Sequence, residues 1–132
     1  MSNDTMCFQP DDFADDLPAP GYYIGTISDA RFRDSAQGNK MLQVVHHLTA
    51  VSPAYESVAD YFVLEGASHR GIVTARRRLV NLYKSCGFDP KQGDQIRPSE
   101  LIGSTLEVNI RHHKWQLEIR LRVAGYRPGP PI

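Results

Sequence analysis

Apolar and polar residues alternate along five segments of the chain, and the stretch between the third and the fourth has a different period. The first three segments cover residues 22–33, 41–51 and about 57–64, and two more cover 106–110 and 115–123. Alternation over such lengths is typical of strands that bury one face. The pattern therefore predicts three strands, an interruption and two further strands.

Within the interruption, apolar residues recur at steps of three and four, as one face of an α-helix requires. These residues are Ile72, Ala75, Leu79, Leu82, Tyr83 and Cys86. Ser68 precedes them as a candidate N-cap, and Gly87 stands where glycine commonly ends a helix. We predict a helix over residues 68–86, and a short helical turn over residues 98–101.

The order of these elements predicts an all-β fold class with one helix, namely a five-stranded OB-fold-like barrel with the helix between strands 3 and 4. An open α+β sheet with the helix across one face has the same order, and we favour the barrel over it. Prolines and a glycine mark both limits of the fold. We expect an acidic flexible leader over residues 1–20, the OB-fold-like domain over 21–126 and a Pro-rich tail over 127–132.

The net charge of zero hides an uneven distribution of charged residues. Residues 1–20 contain five acids and no Lys or Arg. The other ten acids are outnumbered by all fifteen Lys and Arg, so the chain after residue 20 has a surplus of five positive charges. Such a surplus attracts polyanions, although many ordinary domains carry one too.

Several short motifs resemble a family of phage and mobile-element proteins. They are Leu-Pro-Ala-Pro-Gly-Tyr-Tyr at 17–23, Gly-Asn-Lys-Met-Leu at 38–42, Leu-Tyr-Lys-Ser-Cys-Gly at 82–87 and Glu-Leu-Ile-Gly-Ser-Thr-Leu-Glu-Val at 100–108. The chain looks like short OB-fold proteins of this family that bind single-stranded DNA, over roughly residues 17–112. Unlike the bacterial single-strand binders that it resembles in fold, it has no acidic C-terminus.

The resemblance implies a sequence-tolerant single-stranded DNA-binding protein that acts in phage or mobile-element DNA replication, recombination or repair. The implied partners are single-stranded DNA and other replication or recombination proteins, and a homo-oligomer is expected. The resemblance carries over no catalytic residue. Because the only acidic segment is N-terminal, a segment that recruits partners would be the leader. The leader is also a candidate to lie in the basic groove and compete with DNA.

Binding of single strands requires cations that follow the phosphates and aromatic faces on which bases stack. In an OB-fold these groups lie on the outer face of strands two and three and on the flanking loops. The candidate nucleic-acid-binding residues are Tyr22, Arg31, Arg33, Lys40, Gln43, His47, Tyr61, Phe62, Arg111, Lys114, Trp115, Arg120 and Arg122. Neighbouring strand residues face opposite ways, so only one of Tyr61 and Phe62 points outward.

The sharpest candidate is a predicted turn over residues 111–115, which concentrates basic residues and the only tryptophan. Alternatively, Trp115 continues the series Leu117, Ile119 and Leu121, points inward and covers the end of the barrel. Arg120 and Arg122 have the opposite parity and point outward in either case.

The run Arg76-Arg77-Arg78 is expected to be a solvated face of the helix, because three adjacent residues spread over about 200° of a helix. If phosphates or a partner bind the helix, the residues that share one face are Arg70, Arg77 and Lys84, which are spaced by seven.

Other chemistry has little support in the sequence. The adjacent pairs His46-His47 and His112-His113 cannot chelate one ion from a regular strand, and the two cysteines lack paired spacing. Phosphate-binding glycine loops and nucleophile motifs are also missing. We expect no catalytic residue, no metal and no cofactor, and therefore no enzyme.

Apolar runs fall short of the roughly 20 residues that span a bilayer, and the start of the chain does not have the pattern of a signal peptide. We therefore expect a soluble, cytoplasmic protein without a membrane partner.

Two other functional classes stay open. In the first, the chain is a protein-interaction or assembly domain without nucleic-acid binding, and the outward residues Ile24, Met41 and Val45 form a subunit interface. In the second, the barrel is the scaffold of a small hydrolase or nuclease, which predicts metal-dependent turnover. Single-stranded DNA binding is the favoured hypothesis.

Overall fold

A computed structural model describes residues 5–8 and 17–130, except for the side chain of residue 115. Five strands and one helix form the fold, with two short 3-10 turns at Pro53–Tyr55 and Pro98–Leu101. In chain order they are β1 (Gly21–Asp34), β2 (Lys40–Leu48), β3 (Ser57–Val63), α1 (His69–Ser85), β4 (Thr105–Trp115) and β5 (Glu118–Pro128). Most of the predicted acidic leader, including Asp11 to Asp16, lies outside the described residues.

The predicted order of three strands, one helix and two strands is confirmed. β2 ends three residues before the predicted Val51, because Ala50 adopts a left-handed backbone with φ of 60° that cannot continue a strand. β5 continues two residues beyond Tyr126, and its last residue, Pro128, lies opposite Leu106 of β4. The residues of the predicted Pro-rich tail therefore begin inside the last strand.

All five strands belong to one antiparallel sheet with the order β3-β2-β1-β4-β5. β1 is shared between two partners, since residues 21–26 pair with β4 and residues 25–34 pair with β2. An irregularity between Ile27 and Asp29 bends the strand where it changes partner. Gly25 lies at the same place, where a Cβ atom would approach Val108 Cγ2 to 3.2 Å.

The sheet is not a closed barrel, and the barrel part of the prediction is corrected here. β3 and β5 are its two edges, and no strand ladder joins them in the part of the chain that the structure describes. A cleft of about 280 Å³ separates the first residues of β3 from the first residues of β5. The two edges nevertheless approach each other, because the sheet curls round its core.

α1 covers the core where the edges meet. Ser68 accepts a hydrogen bond from the Gly71 amide at 3.1 Å, which confirms the predicted N-cap. Gly87 follows the helix with a positive φ of 92°, which glycine adopts without steric cost. The predicted apolar face is also confirmed, since Ala75, Leu79 and Leu82 are buried against the sheet.

β2 has the predicted two faces. Leu42, Val44, His46 and Leu48 are all buried in the core, whereas Met41, Gln43, Val45 and His47 alternate with them on the outer face. A one-residue shift of register would reverse these faces, so burial of the first set fixes how β2 meets β1 and β3. The set of side chains on the outer face of β2 therefore depends on this register.

A buried polar network connects the two edges of the sheet. Asp60 of β3 accepts hydrogen bonds from Tyr126 of β5 and, at 2.5 Å, from Arg78 of α1. His46 of β2 is fully buried and lies with its Nε2 atom 3.1 Å from the Tyr126 hydroxyl oxygen. Four elements are thus tied together where no backbone ladder joins β3 to β5.

The hydrogen bonds determine the tautomer of His46. Tyr126 donates its single hydroxyl proton to Asp60, so its oxygen accepts a proton from His46 Nε2. The other ring nitrogen, Nδ1, is buried and has no partner among the described residues. His46 is therefore neutral, and burial lowers its pKa to about 4 although the Asp60 carboxylate opposes that change.

This burial makes the stability of the fold depend on pH. The unfolded chain gains a proton on His46 as the pH falls through its ordinary pKa of 6.5, whereas the folded chain gains it only near pH 4. The free energy of unfolding should therefore fall between pH 6.5 and pH 4, by about 3 kcal/mol from this residue. Urea unfolding of the wild type and of His46→Gln across this range would isolate the effect, because the variant lacks this titrating group.

His47→Gln is the matched control for that experiment, since the neighbouring histidine is exposed on the outer face. It should keep the pH dependence of the wild type. An equal pH dependence in wild type and His46→Gln would show that His46 is not held neutral by the fold.

Candidate nucleic-acid interface

Three of the candidate residues form one row across the outer face of the sheet. Arg31 of β1 lies opposite Gln43 of β2, and Gln43 lies opposite Tyr61 of β3. Residues that pair directly across antiparallel strands share a face, so a cation, an amide and an aromatic ring are neighbours. His47 lies further along the same face, opposite Ser57, and is exposed.

The structure resolves the alternative between Tyr61 and Phe62. Tyr61 points outward and is 48% exposed, whereas Phe62 is 0% exposed in the core. Phe62 is therefore corrected from a candidate stacking residue to a core residue, whose ring packs beneath the Arg78 guanidinium. Only Tyr61 of this pair presents an aromatic face to a ligand.

The basic residues around the first hairpin have local partners. Arg31 pairs with Asp29 at 3.2 Å, and Arg33 donates to Gln43 Oε1 at 2.7 Å. Lys40 places its Nζ atom 4.7 Å from the centre of the Phe32 ring. All three side chains are exposed, but only Arg31 and Arg33 lie on the outer face. Lys40 has the parity of the buried Leu42 and therefore lies at the margin of the opposite face, beside Phe32.

An aromatic residue and a cation also stack at the other end of β1. Arg127 lies over the ring of Tyr22 with its Cζ atom 3.7 Å from the ring centre, and it binds Glu107 at 2.9 Å. The Glu107 pKa is lowered by this hydrogen bond. Tyr22 is 41% exposed, so part of its ring is accessible beside the guanidinium.

Sequence reasoning missed Arg127 because it placed this residue in the Pro-rich tail, and a bulge also changes the parity of β5. Asn109 lies opposite Gly125 and Ile110 lies opposite Val123, so Ala124 is an extra residue in the strand. Regular alternation from Arg122 would turn Tyr126 outward, but Tyr126 is buried and Arg127 is exposed. Gly125 was the only local sign of this irregularity, since glycine within a strand often marks a bulge.

The last two strands form a projecting hairpin arm, residues 111–122. The pairing of β4 with β1 ends where Ile110 meets Gly21, so no third strand pairs with the arm among the residues that the structure describes. The prediction of a turn over residues 111–115 is wrong, because these residues continue β4 and the turn consists of Gln116 and Leu117. The left-handed backbone of Gln116, with φ of 54°, closes this two-residue turn.

Like charges face each other at the base of the arm. Arg111 of β4 lies directly opposite Arg122 of β5, and both are exposed. Neither guanidinium has an ion pair with any side chain that the structure describes. Like charges directly opposite each other on a sheet are unfavourable, so this pair provides a site where an anion relieves repulsion.

His113 and Arg120 extend this outward surface toward the tip, whereas Lys114 has the parity of His112 and lies on the other side of the arm. His113 lies opposite Arg120 in the next outward row, and Arg120 binds Glu118 at 3.0 Å. Lys114 is exposed and lies opposite Ile119. Trp115 lies opposite Glu118, and its side chain is outside the described part of the structure.

The predicted inward series fails along the arm. Leu117 is 94% exposed and Ile119 is 53% exposed, whereas Leu121 packs against the core. The reason is geometric, because the arm projects past the end of β1 and has no core beneath its outer half. Leu117 and Ile119 are thus exposed although they follow the alternating pattern of a strand with one buried face.

The base of the arm is held by the segment that enters β1. His112 donates from Nε2 to the carbonyl oxygen of Pro18 at 2.7 Å, and Tyr23 donates to the carbonyl oxygen of Ala19 at 2.7 Å. Pro18 is itself buried. The arm is therefore attached on its inner side, and its outward cations remain accessible.

Within residues 5–8 and 17–130, no helix combines the length and apolar character needed to cross a membrane. The same residues contain no group of three or more His, Cys, Asp or Glu placed to hold a metal ion. No protein-family model and no curated protein matches this chain. The resemblance to phage proteins therefore stays a prediction.

Two outward arginines of β5 allow a test of the like-charge pair. Arg122→Gln should leave the free energy of unfolding unchanged or raise it, because it removes the repulsion with Arg111. Arg127→Gln should lower it, because it removes the contacts with Glu107 and Tyr22. Urea unfolding midpoints of the two variants and the wild type would compare them, and a loss of stability in Arg122→Gln as large as in Arg127→Gln would contradict the interpretation.

Proposed function

We propose that this chain binds single-stranded DNA, with little dependence on sequence, through the outer face of β1 to β3 and the outward face of the hairpin arm. The observation that carries the proposal is the exposed pair of Arg111 and Arg122, which face each other without an acidic partner among the described residues. A phosphate placed between them would replace repulsion with two charge-assisted contacts.

Aromatic residues on the same outer face support a single strand as the ligand. Tyr61 and Tyr22 are both about half exposed, at 48% and 41%. Arg127 stacks on the Tyr22 ring, and Arg31 lies in the same row as Tyr61, two strands away. Bases stack on such rings only when they are not enclosed in a duplex, and any base can do so. This combination favours a single strand and explains why sequence would matter little.

The proposed biological role is in phage or mobile-element DNA replication, recombination or repair. It rests on the motifs that resemble that family, together with the order of strands and helix. In such a role the protein would coat single strands and meet other replication or recombination proteins.

The affinity for single-stranded DNA should fall with rising salt concentration and on substitution of Arg111, Arg122 or Tyr61. The measurement is an anisotropy titration with a labelled poly-dT strand of about 30 nucleotides at several salt concentrations. Each lost phosphate contact should reduce the magnitude of the slope of log K against log salt by about 0.7. The double variant Arg111→Gln with Arg122→Gln should therefore reduce it by about 1.4.

In the same titration, Tyr61→Ala should weaken binding by about 1–3 kcal/mol, because it removes a ring on which a base stacks. Tyr61→Phe keeps the ring and should bind as the wild type does.

Lys91→Gln with Arg97→Gln is the matched control for the arginine variant, because it removes the same charge from the loop after α1. It should leave the slope unchanged. Duplex DNA should compete poorly with the labelled strand. If the wild type fails to bind at low salt, or if both double variants lose the same slope, the proposed interface is wrong.

One observation favours the alternative of an assembly domain. Leu117 and Ile119 expose apolar side chains at the tip of the arm, and Ile24 is 40% exposed on the sheet. A concentration-dependent oligomer that has no affinity for DNA and dissociates on Leu117→Ser would support this function instead.

A further inference from the structure

α1 contains all of the positive charge surplus of the folded chain. Its residues include five Lys and Arg and no Asp or Glu. The surplus after residue 20 is also five, so the other residues of that part of the chain balance one another. Only Arg78 of the five has an acidic partner in the described structure, namely Asp60.

Three of the four other cations lie on one side of the helix. Arg70, Arg77 and Lys84 are spaced by seven residues, which is nearly two turns, and all are exposed. At 1.5 Å per residue, successive charges are about 10 Å apart along the helix axis. We call these three residues the helix stripe. Arg76 is also exposed but points about 100° away from Arg77.

Stability of the helix does not explain the whole stripe. Lys84 lies in the last turn, where the helix dipole favours a cation, but Arg70 lies in the first turn, where the dipole opposes one. Arg77 has no acid three or four residues away that would form a helix-stabilising pair. Because the helix itself does not stabilise the charges of Arg70 and Arg77, we expect an external anion to compensate them.

We infer that the helix stripe is a second phosphate-contacting surface, so that a sufficiently long single strand contacts α1 as well as the sheet and the arm. This inference rests on the proposed function. The stripe contains Thr74 and Asn81 between its cations and no aromatic residue. Protein partners usually need an apolar or aromatic anchor, whereas a phosphate chain is bound by spaced cations alone.

Strand length should reveal the second surface. The inner face of α1 packs on the core, so the stripe and the outer face of the sheet are separate surfaces of the molecule. A strand of about 10 nucleotides is within the range that one OB-fold covers, whereas about 40 nucleotides exceed it. Only the longer strand can then contact both surfaces.

The test compares the wild type with a triple variant, Arg70→Gln, Arg77→Gln and Lys84→Gln, on both strand lengths. Protein is kept fixed and DNA is added in excess, so that each strand carries at most one protein, and the fluorescence of the single tryptophan reports binding. On the long strand the variant should lose about tenfold or more in affinity at low salt, and its salt slope should fall by about 2. On the short strand it should match the wild type within about twofold.

Arg76→Gln and Arg77→Gln provide the matched single substitutions, because they remove the same charge from adjacent residues. Only Arg77→Gln should weaken binding of the long strand. Urea unfolding of Arg70→Gln should show no loss of stability, which separates a binding defect from misfolding.

Two results would overturn the inference alone: a wild type that binds while the triple variant is unchanged on the long strand, or equal losses from the two single substitutions. A wild type that binds neither strand would overturn the proposed function and this inference with it.

Discussion

The contact between Asp60, Tyr126 and Arg78 holds together a sheet whose edges have no backbone ladder between them. It joins both edge strands to the helix, and the contact of His46 with Tyr126 adds β2, the strand next to β3. Burying such groups is costly unless they are hydrogen-bonded, and each of these four side chains has at least one partner in the network, although His46 Nδ1 has none among the described residues. The curvature that this network maintains turns one face of β1, β2 and β3 outward as a continuous surface.

The same curvature explains why the hairpin arm is exposed. β1 begins at Gly21, beside Ile110, and beyond that point β4 and β5 pair only with each other among the described residues. A two-stranded hairpin has too little area to form a core of its own, so its side chains stay in solvent. The arm can therefore carry charges, such as those of Arg111 and Arg122, that would be unfavourable inside the domain. A surface of this kind gains stability when it binds an anion, and this links the architecture to the proposed ligand.

The fold presents two separate basic surfaces, one on the sheet and the hairpin arm and one on α1. The sheet and arm present cations beside aromatic rings, whereas α1 presents cations alone along its outer side. The first arrangement suits a ligand with both bases and phosphates. The second suits phosphates only, which is why strand length distinguishes the two.

Local periodicity and capping residues were enough to predict the number and order of the strands, the helix with its Ser68 cap, and the two faces of β2, because those features depend on residues a few positions apart. The outward side of β3, the bulge that exposes Arg127 and the length of the arm required the tertiary structure. Each depends on pairing with a distant strand: Phe62 is buried by its neighbours across the core, and Leu117 is exposed because β1 begins only at Gly21, opposite Ile110, and does not extend along the arm. The sequence by itself determined which elements form and which residues are able to bind, whereas the register between distant strands decided which of them share a surface.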